Sequence, residues 1–138
     1  MLKCNERSPK EMGVITKAKD LMEHCCNMTA NTSRFPKKYR FSIGVRIENL
    51  SIEIYENLVR ANECNLKDVD ERKKRLNCQQ EAIVDCKLLN SLIELSYKIK
   101  SIEISTKSVE YWCGLVVEVK RMTAAWRNSD KQQGTAQH

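Results

Sequence analysis

The longest uninterrupted pattern of apolar and polar positions runs from Arg34 to Asn62, RFPKKYRFSIGVRIENLSIEIYENLVRAN. Phe41, Val45, Ile47, Leu50, Ile54, Leu58 and Ala61 recur every three or four residues, a spacing that gathers side chains on one side of a helix. Arg46, Glu48, Asn49, Glu53, Glu56 and Arg60 occupy the other side. Strand alternation fails within a few residues. Pro36 is tolerated in a helix's first turn, so a helix starts there. It spans about seven turns, roughly 40 Å at 1.5 Å per residue. An amphipathic helix of that length needs partners to cover its apolar stripe.

The rest of the chain supplies three. A first helix is expected from about Lys10 to Met28, with Ile15, Ala18, Met22, Cys25 and Met28 as its stripe. Residues 29–33 (TANTS) form a polar loop. Cys64–Asp68 ends the second helix, with Asn65 as C-cap and Asp68 as N-cap of the next. The third helix covers about Val69 to Lys100, with Leu76, Ile83, Cys86, Leu89, Leu92, Ile93 and Ile99 facing inward. Its first turns, Asp70 to Arg75, are polar all round and are expected to line a surface. The β-branched run Ile99, Ile102, Ile104 is locally strand-like. A fourth helix follows from about Ser105 to Ser129, with Val109, Trp112, Val116, Val119, Met122 and Trp126 on one face. Residues 1–9 and 132–138 are expected to be loose ends. The predicted fold is all-α: one domain over residues 1–138, an antiparallel up-down-up-down four-helix bundle. A helical hairpin that dimerises into four helices is the second choice.

Composition agrees. Only four Gly and two Pro punctuate 138 residues, too few for a sheet with frequent turns. No apolar run reaches the roughly 18 residues of a membrane span. Residues 1–9 do not read as a signal peptide, so a cytoplasmic protein is expected. Seven cysteines, an odd number without CxxC spacing, fit free thiols in a reducing compartment better than a disulfide framework. His24, Cys25 and Cys26 are adjacent on a helix and point in different directions, which disfavours a zinc site. A thiol-based metal or redox sensor has only the cysteine count behind it.

The net charge of +6 becomes informative once the topology is applied. One end of such a bundle gathers thirteen basic against seven acidic residues. Its basic groups include Arg60, Arg72, Lys73, Lys74, Arg75, Lys120, Arg121 and Arg127. The other end gathers Arg34, Lys37, Lys38, Arg40, Lys98, Lys100 and Lys107 against Glu103 alone. The waist is acidic. Basic ends suit a polyanion such as RNA or DNA, although cations at helix ends also keep a surface soluble. Phe35 and Tyr39, inside the Arg34–Arg40 cluster, either stack on unpaired bases or cap the core, the commoner fate of aromatics. No Walker loop, GxGxxG, HExxH or GxSxG occurs. Nor do the paired ExxH motifs of a di-iron bundle. A non-enzymatic binding protein without a cofactor is expected.

Three stretches carry a family resemblance: RFPKKYRFSIGVRIENLSIEIYENLVRANE, RLNCQQEAIVDCKLLNSLIELSYKIK and AAWRNSDKQ. Together they resemble the Avd-like four-helix-bundle proteins, the accessory variability determinants of diversity-generating retroelements, over roughly Ile15 to Lys131. The resemblance implies a basic, ring-like homopentamer that binds the element's reverse transcriptase and nucleic acid and supports mutagenic copying of a template RNA. It places nucleic acid or polymerase against the Lys and Arg clusters. A related branch is encoded within large-subunit rRNA intervening sequences. There the second helix ends rich in alanine and glycine; Leu58 to Asn62 here reads Leu-Val-Arg-Ala-Asn, which favours the retroelement branch. The many cysteines and the acidic waist depart from the family's pattern.

Overall fold

Helix boundaries follow from local chemistry in the computed structural model, which describes residues 9–136, with side chains from Gly13 to Gln133. Pro9 opens α1 (Pro9–Ala30), α2 is the single turn Lys37–Tyr39, a π-helical turn covers Arg40–Gly44, and α3 is Val45–Glu63. Two longer helices, α4 (Val69–Lys98) and α5 (Thr106–Ala136), complete the described chain. Asp68 caps α4, its Oδ1 accepting the Glu71 N–H at 3.0 Å, while the Glu71 carboxylate accepts the Asn65 N–H at 2.9 Å. Ser105 caps α5 through its Oγ and the Ser108 N–H at 3.1 Å. Cys64, rather than Asn65, ends α3; the Asn65 side chain instead accepts the Lys67 N–H in a local turn.

α1 packs against α3 and α5, and α4 packs against the same two, so the long helices surround one core. Among the described residues the structure is an all-helical bundle. No described helix is long and apolar enough to cross a membrane. The strand-like Ile99–Ile104 run is a turn-rich connection in which Ile102 is buried. α5 continues to Ala136, beyond the expected fraying point at residue 132, because Lys131, Gln132 and Gln133 are good helix formers. Of the loose arm expected at 1–9, Pro9 instead heads α1, and residues 1–8 lie outside the described residues.

Most buried positions alternate in steps of four and three, with Ile15, Thr29 and Asn57 buried beside them. α1 buries Val14, Ala18, Leu21, Cys25 and Met28; α3 buries Ile47, Ser51, Ile54, Leu58 and Ala61. α4 buries Arg75, Gln79, Ala82, Cys86, Leu89, Ile93 and Ser96; α5 buries Trp112, Val116, Val119, Thr123, Trp126 and Asp130. This is the seam of supercoiled helices, which pack knobs into holes. Several expected stripe residues lie at the seam's margin, half-buried: Met22, Leu76, Ile83, Leu92 and Met122. Polar residues, Arg75 and Thr123, hold the seam positions beside Leu76 and Met122, so hydrophobicity alone draws the stripe off centre there.

The second predicted helix is interrupted rather than continuous. The Val45 N–H reaches the Arg40 carbonyl, five residues back, and the Ser42 hydroxyl bonds the Lys38 and Tyr39 carbonyls, a local competitor for the helical ladder. Phe41 is consequently 69% exposed and Val45 37% exposed, against the expectation that both face the core. Val45 sits about 200° round the helix from Ile47, which is fully buried.

Candidate nucleic-acid interface

The basic segment at the start of the second helical region is held in place by its aromatics. Phe35 is fully buried and meets Trp112 edge to face, ring centroids 6.5 Å apart, so it caps the core and cannot stack on a base. The Arg34 carbonyl accepts the Glu103 N–H at 3.0 Å, joining this segment to the α4–α5 connection. Arg34 and Lys107, in the first turn of α5, line one cavity as a result. Lys37, Lys38, Lys98, Lys100 and Lys107 are exposed, and Arg34 and Arg40 are half-exposed. Lys38 Nζ lies 5.4 Å from the centroid of the half-buried Tyr39 ring. The cation anchors to its neighbour's ring and remains open to solvent.

The cavity has a volume of about 450 Å³ and is lined by His24, Arg34, Ser105, Lys107, Ser108 and Tyr111, with Asn27 and Met28 completing it. Two cations and no carboxylate face it. The Arg34 guanidinium touches the Met28 sulfur at 3.5 Å. His24 Nε2 is covered yet has no hydrogen-bond partner. Burial, and then the charge of Arg34, hold the His24 imidazole below its ordinary value, so it is neutral at pH 7. Its ring meets Tyr111 edge to face at 5.2 Å and Trp112 at 5.9 Å.

The second predicted cluster is divided. Arg60, Lys73, Lys74 and Arg121 are exposed, and Arg72, Lys120 and Arg127 are half-buried. Arg121 pairs with Glu118 at 2.7 Å, and Arg127 donates from Nε to the Leu76 carbonyl at 3.0 Å. Arg75 turns inward. Its Nε donates to Asp130 Oδ2 at 2.7 Å, its NH2 nitrogen to Asp130 Oδ1 at 3.2 Å, and its NH1 nitrogen to the Cys64 carbonyl at 3.2 Å. Gln79 Nε2 donates to the same carboxylate at 2.7 Å, and the guanidinium lies 5.0 Å from the Trp126 centroid. Arg75 is only 7% exposed and offers no guanidinium to a surface ligand. The reason is pairwise: its partner stands 55 residues away and is itself buried.

The thiols are distributed through the bundle. Cys25 accepts the Trp112 indole N–H at 3.2 Å in the core, whereas its neighbour Cys26 lines a groove with Met22 and Ile52. Burial pushes the Cys25 and Cys86 thiols up to about 12. Cys64, Cys78 and Cys113 are also free and half-buried. No group of three or more metal-ligating side chains gathers among the described residues.

His24, Ser105, Ser108 and Tyr111 were not singled out as binding residues by sequence reasoning. Ser105, Ser108 and Tyr111 lie three residues apart at the start of α5, but His24 is on α1 about 85 residues away, and no local spacing connects the two sides. Comparison with protein-family models, with curated proteins and with solved structures finds no match to this chain.

Proposed function

We propose that this protein is a non-enzymatic accessory subunit that binds RNA or DNA through one basic end of its bundle and acts beside a reverse transcriptase. The observation that carries the binding reading is the exposed set Lys37, Lys38, Lys98, Lys100 and Lys107, flanked by Arg34 and Arg40. Lys and Arg neutralise phosphates and release condensed counterions. The reverse-transcriptase partner and a homopentameric ring rest on the resemblance of the Arg34–Glu63 stretch and the AAWRNSDKQ ending to Avd-like proteins. An up-down-up-down course of the helices belongs to the same reading. It is supported by Cys25 beside Trp112 at 3.2 Å, and by Gly13, where a Cβ would stand 3.4 Å from the Met122 methyl. Arg34, Lys37, Lys38 and Arg40 are the primary contacts; Arg60, Arg72, Lys73, Lys74, Lys120 and Arg121 form a second surface. Arg75 and Arg127 hold the bundle together.

The test is co-purification with the host element's reverse transcriptase, washed at rising salt with and without nuclease. A complex that survives nuclease establishes direct protein contact. Loss on nuclease treatment leaves a nucleic-acid binder bridged to the polymerase by RNA. No co-purification at low salt removes the polymerase partner. Nucleic-acid binding is tested separately with the K37A/K38A/R40A variant, expected to bind single-stranded RNA at least tenfold more weakly at 50 mM salt and with a shallower salt slope. Unchanged affinity removes this cluster from the reading.

A second reading, an oligomeric scaffold, is favoured by one feature. Val84, Leu88 and Leu95 on α4 are each more than 40% exposed. Leu88 lines a groove of about 550 Å³ with Leu50 and Leu92, flanked by Arg46 and Glu53. Light scattering at micromolar concentration decides it: a monomer excludes both the scaffold and the ring.

A further inference from the structure

The cavity between α1, the Arg34 segment and the start of α5 has a makeup that the general basic surface lacks. Its two cations come from different parts of the chain, and neither is neutralised by an ion pair among the described residues. Two hydroxyls, Ser105 and Ser108, stand beside them. The first-turn N–H groups of Thr106 and Lys107 have no carbonyl four residues back within α5, so they add positive potential at the same place. Tyr111 borders the cavity at 61% exposure, and among the described residues its one ring contact is edge to face with His24. A surface tyrosine with an open face is a platform for a planar group. The covered His24 Nε2 adds a polar atom without a hydrogen-bond partner among the described residues, and buried polar atoms are normally paired.

We infer that this cavity binds one phosphorylated nucleoside unit, its phosphate held between Arg34 and Lys107 and its base against Tyr111. The inference rests on the nucleic-acid reading above and deepens it, since the unit is either a free nucleotide or a single residue of an unpaired strand. The volume suits a ligand of that size, as small-molecule sites span about 300–1,000 Å³. Charge selects phosphate, because guanidinium and ammonium donors match its oxygens. The tyrosine selects a planar base over a bare anion. Lys37 and Lys38 are not among the residues that line this cavity, so they are expected to contact the strand's backbone only.

The experiment is calorimetric titration of the full chain with AMP, adenosine, inorganic phosphate and a single-stranded oligoadenylate RNA. It is repeated on the R34Q/K107Q, K107Q, Y111L and K37A/K38A/R40A variants, each checked for native helicity and melting. AMP is expected to bind at least tenfold more tightly than either adenosine or phosphate. R34Q/K107Q is expected to weaken AMP at least tenfold. Y111L is expected to bring AMP down to the affinity of phosphate. K37A/K38A/R40A should leave AMP within twofold while weakening the RNA. Lys107 is exposed and its substitution leaves the core untouched, so K107Q alone, expected to weaken AMP about threefold or more, keeps the test decisive if the double variant unfolds. AMP binding without RNA binding would retain the cavity and remove the strand reading. RNA binding that falls only with the Lys37 cluster, with AMP unbound or indifferent to Arg34, Lys107 and Tyr111, would overturn the cavity and leave the strand reading standing. Phosphate binding as tightly as AMP would overturn the nucleoside site.

Discussion

Arg75 and Asp130, 55 residues apart, meet in a covered two-point ion pair, with Nε to Oδ2 at 2.7 Å and NH2 to Oδ1 at 3.2 Å. Gln79 and the Cys64 carbonyl satisfy further polar groups of the pair, and Trp126 lies beneath the guanidinium. The contact joins the beginning of α4, the end of α5 and the end of α3. Removing one member of such a pair leaves a charge buried without a partner, which costs far more than the intact pair contributes.

Asp130→Asn is therefore expected to destabilise the fold by about 3–5 kcal/mol in urea unfolding. Replacing both partners by apolar residues, as in R75M/D130L, is expected to recover most of that loss. A change below about 1 kcal/mol in the single variant would mean that water reaches the pair.

Asp85 runs the other way. Burial, then the charges of Glu53 and Glu81 and a side-chain hydrogen bond with Glu53, raise its carboxyl to about 6, and Oδ2 has no hydrogen-bond partner among the described residues. A carboxyl whose folded value lies above its unfolded one favours the protonated form in the fold. It causes no loss below pH 4, a growing loss between pH 4 and 6, and the full loss above pH 6. Because the group is part-exposed, solvent screening reduces the effect to about 1 kcal/mol. Asp85→Asn is expected to gain about that much at pH 7.5 and nothing at pH 4, read as the difference between two denaturation curves.

The interrupted start of the second helical region gives a test of register. Phe41→Ser replaces an exposed ring and is expected to change stability by less than about 0.5 kcal/mol. Ile54→Ala, two turns beyond the interruption and fully buried, is expected to cost about 2–5 kcal/mol. Equal losses would indicate a continuous helix with Phe41 inside.

Thiol chemistry separates the cysteines. Reaction requires the thiolate, and burial raises Cys25 and Cys86 to about 12. In folded protein at pH 7.5, iodoacetamide is expected to leave both unmodified while Cys64 reacts, as read by peptide mass spectrometry. All should react in denaturant. Early modification of Cys25 would contradict its place against Trp112.

Helix number, approximate ends and the Asp68 cap follow from the sequence alone, because each depends on residues within about four positions of one another. Asp68 illustrates this: the cap and the Glu71 N–H it accepts lie three residues apart. The face each helix turns inward was legible to within one position, but not its polar occupants. Arg75 read as a surface residue because it is polar by itself, Gln79 and Asp130 carry no inward signal of their own, and only their meeting makes the three tolerable inside. Lys37 and Lys38 were legible as exposed cations, since no acidic residue stands near them in the Arg34–Arg40 segment. The cavity was not. It joins His24 and Arg34 to Lys107 and Tyr111, and that proximity arises only when α1 packs beside α5. Local periodicity determined which segments are helical, whereas long-range pairing in the packed bundle decided which charges are buried and which converge on a ligand-sized space.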